Sequence, residues 1–376
     1  MLGFQPYETF QLLVENGGTE RTNTLLIAAC DAYARRGKPT PVELQQFEAL
    51  ASRLFPAAGP QARAKGAAIL GQADLLSPAL ERLVTAHIGD DLPAFLEAVP
   101  ALSEDTMLEI IAGGDVLAAA ILASRDDLSN AVLAKLFGLN SRKVYRALAA
   151  NPAIVPRGAY LSALARSAQM DHVVARILAQ RDDFDAGLLA PAFFDLSDDD
   201  RLKVIHSFAN RPTPAAPIKK TIEQISVANN ELTRALMKLF SENRRPEVTR
   251  LLSQITGLDE VRCGQIAHDT TGASLFVVLR AFGCSAYEGL KVLIHATSHD
   301  SDRSQALADF ATLFSAVPAD AMAYLMSAWR GEVNLLELNQ PQYQAQSQRR
   351  ALPASHSSAV AGAVQSAARL GIKRAS

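Results

Sequence analysis

His295 and His299 are four residues apart, so on one helix they share a face and could chelate a metal ion. Asp300 and Asp302 follow closely and could add oxygen ligands. The segment His295-Ala296-Thr297-Ser298-His299 lacks the glutamate that zinc proteases place after the first histidine as a base. Ser298 can also cap a following helix, which would put His299 beyond the break. Cys263, His268, Cys284 and His295 form a looser series, with four, fifteen and ten intervening residues. That spacing matches no standard zinc module, and a Cys-His nucleophile pair has no supporting local signature. Packing as small apolar residues accounts for Cys263 and Cys284.

Acidic turns recur at Asp126-Asp127, Asp182-Asp183 and Asp198-Asp199-Asp200. They lack the glycine and distant glutamate of a calcium loop. Their place at helix starts is explained by capping and by the helix dipole. Arg125 and Arg181 precede two of these turns at equivalent positions. Each is expected to pair with the adjacent aspartates or to bond the carbonyls ending the preceding helix, with anion binding as the alternative. Phosphate-loop motifs and the Gly-x-Ser-x-Gly elbow are absent. No catalytic residue and no cofactor is therefore assigned.

Helices must position all of these groups. Apolar residues make up 49% of the 376, rich in alanine and leucine, and charged residues 20%, so a packed, ordered chain is expected. Val132, Leu133, Leu136 and Phe137 fall on one helical stripe, as do Val173, Val174, Ile177 and Leu178. Thr40-Pro41-Val42-Glu43 reads as a capping box with proline at the first helical position, and Ser77-Pro78, Ser103 and Ser197 offer further N-caps. Gly113-Gly114 and Asn151-Pro152 interrupt the periodic segments. Helices of about ten residues follow, too short to be stable without tertiary packing.

An internal repeat organises them. Ile121-Leu122-Ala123-Ser124-Arg125-Asp126-Asp127-Leu128-Ser129 resembles Ile177-Leu178-Ala179-Gln180-Arg181-Asp182-Asp183-Phe184-Asp185, 56 residues on, and a weaker copy starts at Ile69. About four short helices fit in each period, or two hairpins. Such periods predict an all-α α-solenoid of short helical hairpins, HEAT/armadillo-like, in which neighbours bury each other's apolar faces. The Arg125–Ser129 turn, with Ala147-Leu148-Ala149-Ala150-Asn151-Pro152 after it, resembles a bacterial family of uncharacterised proteins with HEAT-like repeats, a domain of unknown function. The resemblance spans roughly Leu50 to Arg330. It implies the helical-repeat fold and no activity, ligand or site residue.

Three regions are expected: a repeat array over 1–210, a helical block over 218–338, and a basic, disordered tail over 339–376. The prolines of Arg211-Pro212-Thr213-Pro214-Ala215-Ala216-Pro217 mark the first boundary. After Glu337 the chain holds no acid but has Arg349, Arg350, Arg369, Lys373 and Arg374, so a −7 body precedes a +5 tail within a net charge of −2. That near-neutral balance argues against a dedicated nucleic-acid binder. No apolar run approaches membrane-spanning length, the N-terminus shows no secretory pattern, and three cysteines make no disulfide framework, so a cytoplasmic protein is expected.

The leading expectation is a non-catalytic scaffold whose partner is another protein or a peptide, held on the concave face of the hairpin stack. The alternatives are a metal- or ligand-dependent enzyme in the C-terminal block, around His268, His295 and His299, and nucleic-acid binding through Arg244-Arg245 and the tail's Arg349-Arg350. The helical register predicts burial of Leu133, Leu136, Val173 and Ile177. Truncating a buried one to alanine should cost about 2–5 kcal/mol in denaturant unfolding.

Overall fold

The computed structural model describes residues 18–36, 38–74, 76–211, 229–297 and 303–338. Among them every regular element is helical and no strand occurs. The chain begins with α1 (Thr19–Arg36), α2 (Pro41–Ala57), α3 (Pro60–Leu70), α4 (Pro78–His87) and α5 (Leu92–Ala98). It continues through α6 (Glu104–Ala112), α7 (Val116–Ala123), α8 (Asn130–Gly138), α9 (Arg142–Ala150), α10 (Gly158–Met170) and α11 (His172–Ala179). A 3-10 stretch, Ala186–Asp195, leads into α12 (Asp198–Ala209). After it come α13 (Asn229–Ser241), α14 (Arg245–Thr256), α15 (Glu260–His268), α16 (Ala273–Ala281), α17 (Ala286–Ala296), α18 (Arg303–Ala316) and α19 (Ala319–Trp329). Packing gathers the residues up to Glu332 into one unit and Val333–Ser376 into another, whose described helix is the single turn α20 (Leu335–Leu338).

Local chemistry sets the helix starts. The Thr40 hydroxyl accepts the Glu43 N–H while the Glu43 carboxylate accepts the Thr40 N–H at 2.8 Å, with Pro41 at the first position of α2. Ser285 and Glu288 repeat that box at α17. Ser77 caps α4 and Ser197 caps α12. Asp115 and Asp171, also 56 residues apart, cap α7 and α11 by accepting the N–H groups of Leu117 and Val173.

Up to α11 the helices pack in two rows. In the first, α1 packs on α3, α3 on α5, α5 on α7, α7 on α9 and α9 on α11. In the second, α2 packs on α4, α4 on α6 and α6 on α8. Four helices, α8 to α11, lie between Ser129 and Asp185. No helix among the described residues is long and apolar enough to cross a membrane.

Beyond α12 the pattern changes. Every residue of α16 from Ala273 to Leu279 is buried, because α12, α15, α17 and α19 surround it. Phe193 and Phe194 of the 3-10 stretch flank Trp329 at 5.0 and 4.9 Å between ring centroids, and Phe208 of α12 meets Tyr324. The N-terminal array and C-terminal block therefore share one core up to Glu332. The proline segment expected to divide them, 212–217, lies outside the described residues, as does the tail.

The register of α11 departs from expectation. Leu133 and Leu136 are buried, but Val173 and Ile177 are half-buried, and Val174, Ala175, Leu178 and Ala179 face the core instead. The helix is wedged between α9, α10 and the 3-10 stretch, which moves its buried stripe by one residue.

Gly289 of α17 lies against the Phe314 ring so closely that a Cβ there would overlap it at 2.1 Å. Gly264 of α15 has nothing within 4 Å of its Cβ position. Gly289→Ala should therefore cost roughly 1–3 kcal/mol or more by overpacking. Gly264→Ala should stabilise by about 0.5–1 kcal/mol. Denaturant titration of both variants checks this opposition of sign.

Candidate functional site

Two sets of side chains are organised beyond what the local helices require. The first runs along the C-terminal ends of the first-row helices. Those carbonyls have no intrahelical donor. Arg125, just after α7, reaches back to the end of α5: its Nη1 donates to Leu96 O and Val99 O at 3.3 and 2.9 Å, and its Nη2 to Pro100 O at 2.9 Å. Its Nε and Nη2 also grip both oxygens of Asp127 at 2.8 and 2.7 Å. Arg181, just after α11, repeats this on α9, donating to Ala149 O, Asn151 O and Ile154 O at 2.7–2.9 Å and to both oxygens of Asp183 at 2.8 Å.

Between them, Asn151 donates to Ala123 O and Arg125 O at 2.9 and 2.6 Å, so the end of α9 holds the end of α7. Lys203 continues the ladder onto α11, donating to Ala179 O at 2.8 Å while paired with the buried Asp200. The second row is tied at the same edge. Glu48 of α2 accepts the hydroxyl of Ser77, the cap of α4, and the buried Glu81 of α4 accepts the N–H and hydroxyl of Ser103, at the start of α6.

This placement corrects the reading of the acidic turns. The capping role expected of Asp126-Asp127 and Asp182-Asp183 falls to Ser129 and Asp185. Asp127 and Asp183 brace the arginines, while Asp126 and Asp182 are exposed. The carbonyls gripped end the helix two before the arginine's own, not the immediately preceding helix. Arg330 makes a third clamp, bonded to Thr256 O at 3.2 Å and to Glu332 at 2.8 Å. The sequence reading missed it. An arginine followed two residues later by an acid, just past a helix C-terminus, is the signal common to all three. The weaker repeat copy has Ala73 where Arg125 stands, so it forms no such clamp.

The second set is a cleft of about 300 Å³ where α12, α15 and α16 meet, lined by Arg201, Gln265, His268, Asp269, Thr271 and Ser274 among others. Arg201 donates to Phe193 O and Phe194 O at 3.2 and 2.9 Å, and its Nη1 lies 3.5 Å from both Asp198 and Asp269. Asp269 accepts the N–H groups of Thr271 and Ser274 at 3.0 Å and both their hydroxyls. Burial alone would raise its pKa, but these bonds and the Arg201 charge outweigh it and hold the carboxyl below the usual range. The exposed His268 bonds Gly264 O through Nδ1 at 2.9 Å. A carbonyl can only accept, so Nδ1 carries a proton, and Nε2 is left without a hydrogen bond among the described residues.

The other sequence candidates are not gathered there. His295 is exposed on α17, and His299, Asp300 and Asp302 lie outside the described residues, as do Arg349 and Arg350. Among the described residues no group of three or more His, Cys, Asp or Glu side chains could hold a metal ion. Cys263 and Cys284 are buried apart from any histidine contact among their hydrogen bonds, and burial pushes the Cys284 thiol up to about 11 and raises that of Cys263. Neither is a ready thiolate at neutral pH. Arg244 pairs with Glu242 and Glu247, and Arg245 bonds the carbonyls of Ala267 and Ala296, ending α15 and α17.

A family model described as an uncharacterised protein conserved in bacteria matches residues 94–326. The chain belongs to this family, DUF2336. The matched region runs from α5 into α19, so both the carbonyl ladder and the cleft fall within the DUF2336 region. No curated protein and no solved structure matches the chain.

Hydrogen bonding to Arg125 and Arg181 holds Asp127 and Asp183 below the usual carboxylate range. Such acids take up protons at lower pH in the fold than in the unfolded chain. Their stabilisation is complete above about pH 5 and fades as pH falls through the carboxylate range. Asp183→Asn should therefore flatten the loss of stability below about pH 4.5. Arg181→Ala, which removes three carbonyl contacts, should cost about 2–4 kcal/mol, with Arg181→Lys recovering less than half. Urea titrations of the wild type and these variants between about pH 3 and 7 provide the measurement.

Proposed function

We propose that this DUF2336 protein is a HEAT-like α-solenoid that serves as a non-catalytic scaffold, binding another protein or a peptide on its helical-repeat surface. The observation that carries the reading is the two-row packing of α1 to α11, tied hairpin to hairpin by Arg125, Asn151, Arg181 and Lys203. Each tie uses the backbone of the neighbouring hairpin. The side chains elsewhere on those helices are thereby left available to vary with the partner, which suits an extended recognition surface.

A second reading is favoured by the cleft at Arg201, His268 and Asp269. A fixed guanidinium, an exposed imidazole held through Nδ1 and two hydroxyls suit a small polar ligand. On this reading the C-terminal block is a ligand- or metal-dependent unit centred on His268, with His295 outside it.

Affinity capture from native cell extract with the full chain, combined with cross-linking mass spectrometry, tests the choice. The scaffold reading expects a specific retained protein cross-linked within residues 19–209, still retained by His268→Ala. A purified chain that retains no protein, but carries a small molecule or metal lost in His268→Ala, overturns it in favour of the cleft.

A further inference from the structure

The ladder occupies one edge of the two rows, where the first-row helices end. The opposite edge, where they begin, has no clamp on helix-end carbonyls: it is tied by Asn23 of α1, which accepts the Gly59 N–H, and by Arg146 of α9, which grips both oxygens of Asp171 at 2.8 and 3.1 Å. Its charge is sorted along the chain. Residues 74–127 hold eleven acids and two bases, and residues 128–181 hold eight bases and one acid. The free edge is built from the connections α4–α5, α6–α7, α8–α9 and α10–α11. The first presents exposed Asp90 and Asp91. The second presents Val116 and Leu117, 42% and 50% exposed. The third presents exposed Arg142 and Lys143. Arg166 of α10 adds its positive charge there, close enough to act on Tyr145, whose hydroxyl bonds Phe137 O and Asn140 in the same connection.

Among the described residues Asp90 and Asp91 have no cation partner, and Arg142, Lys143 and Arg166 have no carboxylate partner. Arg142 and Lys143 occupy the first turn of α9, which has no acidic residue there and no side-chain cap from Ser141. Cations at that end oppose the helix dipole and destabilise α9. The arrangement costs stability in the isolated chain and so points to an anionic neighbour.

We infer that this edge docks a second copy of the chain, antiparallel, about a twofold axis passing beside Val116 and Leu117. Under that rotation the order acid, apolar, base of one copy faces base, apolar, acid of the other. Asp90 and Asp91 of each copy meet Arg142 and Lys143 of the other, and the central apolar pair meets its own image. Such an isologous contact is made twice by one operation and closes as a dimer. With neighbouring helices about 8–10 Å apart, the acidic and basic connections lie roughly 16–20 Å from each other, one on either side of the axis. A nucleic-acid backbone fits less well, because phosphates on Arg142 and Lys143 would run along the same edge into Asp91 and Asp90. Asp115, beside the axis, spends its charge on the first N–H groups of α7. The pairing goes beyond the scaffold reading: a monomer that still captures a protein partner overturns the pairing alone.

Sedimentation equilibrium of the full chain at about 0.05 M and about 0.5 M salt tests it. A dimer that weakens with salt is expected. Arg142→Glu with Lys143→Glu should weaken it at least about tenfold, as should Asp90→Lys with Asp91→Lys, and all four together should restore it to within about threefold. The first pair places acids at a helix start, so thermal melting should show no loss of fold. A chain that stays monomeric at about 100 μM in low salt, or a dimer indifferent to both reversals, overturns the inference. So does a monomer that binds duplex DNA and loses it in the Arg142→Glu, Lys143→Glu variant, which would assign the cations to phosphate instead.

Discussion

Short helices leave much of their backbone unsatisfied. A helix of eight or nine residues, such as α7, α9 or α11, ends in four carbonyls without an intrahelical donor. Much of the surrounding structure follows from where those carbonyls find partners. Arg125, Asn151, Arg181 and Lys203 each reach back to the neighbouring first-row helix and supply the donors. A cation is also favoured at that pole of the helix dipole. The planar guanidinium suits the role, because one edge can hold an acid while the remaining N–H groups spread over two or three carbonyls. Asp127 and Asp183 fix that orientation.

The ladder makes hairpin stacking specific as well as favourable. Alanine- and leucine-rich faces pack in many registers, since small and unbranched side chains present few steric landmarks. A guanidinium bound at once to carbonyls of a neighbouring hairpin and to its own turn accepts one register. The same device recurs beyond α12: Arg330 holds Thr256 O, and Arg245 holds the ends of α15 and α17. Hydrophobic burial supplies the larger energy, most visibly around α16, while the polar ties determine alignment.

The two edges of the array consequently differ in kind. Where the first-row helices end, charge is consumed internally by backbone and by bracing acids. Where they begin, Asp115 and Asp171 cap their helices and Asp171 also holds Arg146, but Asp90, Asp91, Arg142 and Lys143 have no partner of opposite charge among the described residues. The cleft at Arg201 resembles the ladder in its chemistry. Its arginine is anchored on the carbonyls of Phe193 and Phe194, and Asp269 is satisfied by four bonds from Thr271 and Ser274, so its shape is set before any ligand arrives.

The sequence alone determined what depends on neighbours within a few residues. Helix type, the caps at Thr40, Ser77 and Ser197, the breaks at Gly113-Gly114 and Asn151-Pro152, and the equivalence of Arg125 with Arg181 were all legible, because caps and apolar stripes act over three or four positions. The 56-residue repeat also implied four helices per period. Tertiary structure decided the rest. Arg181 bonds carbonyls 27–32 residues earlier in the chain, and Arg330 one 74 residues earlier. It rotated the buried stripe of α11 from Val173 and Ile177 to Val174 and Leu178, placed His268 rather than His295 beside Arg201 and Asp269, and joined α12 to α16 and α19 in one core. Which backbone group lies opposite a given side chain depends on how whole helices pack, and helical periodicity fixes a face without naming the element that covers it.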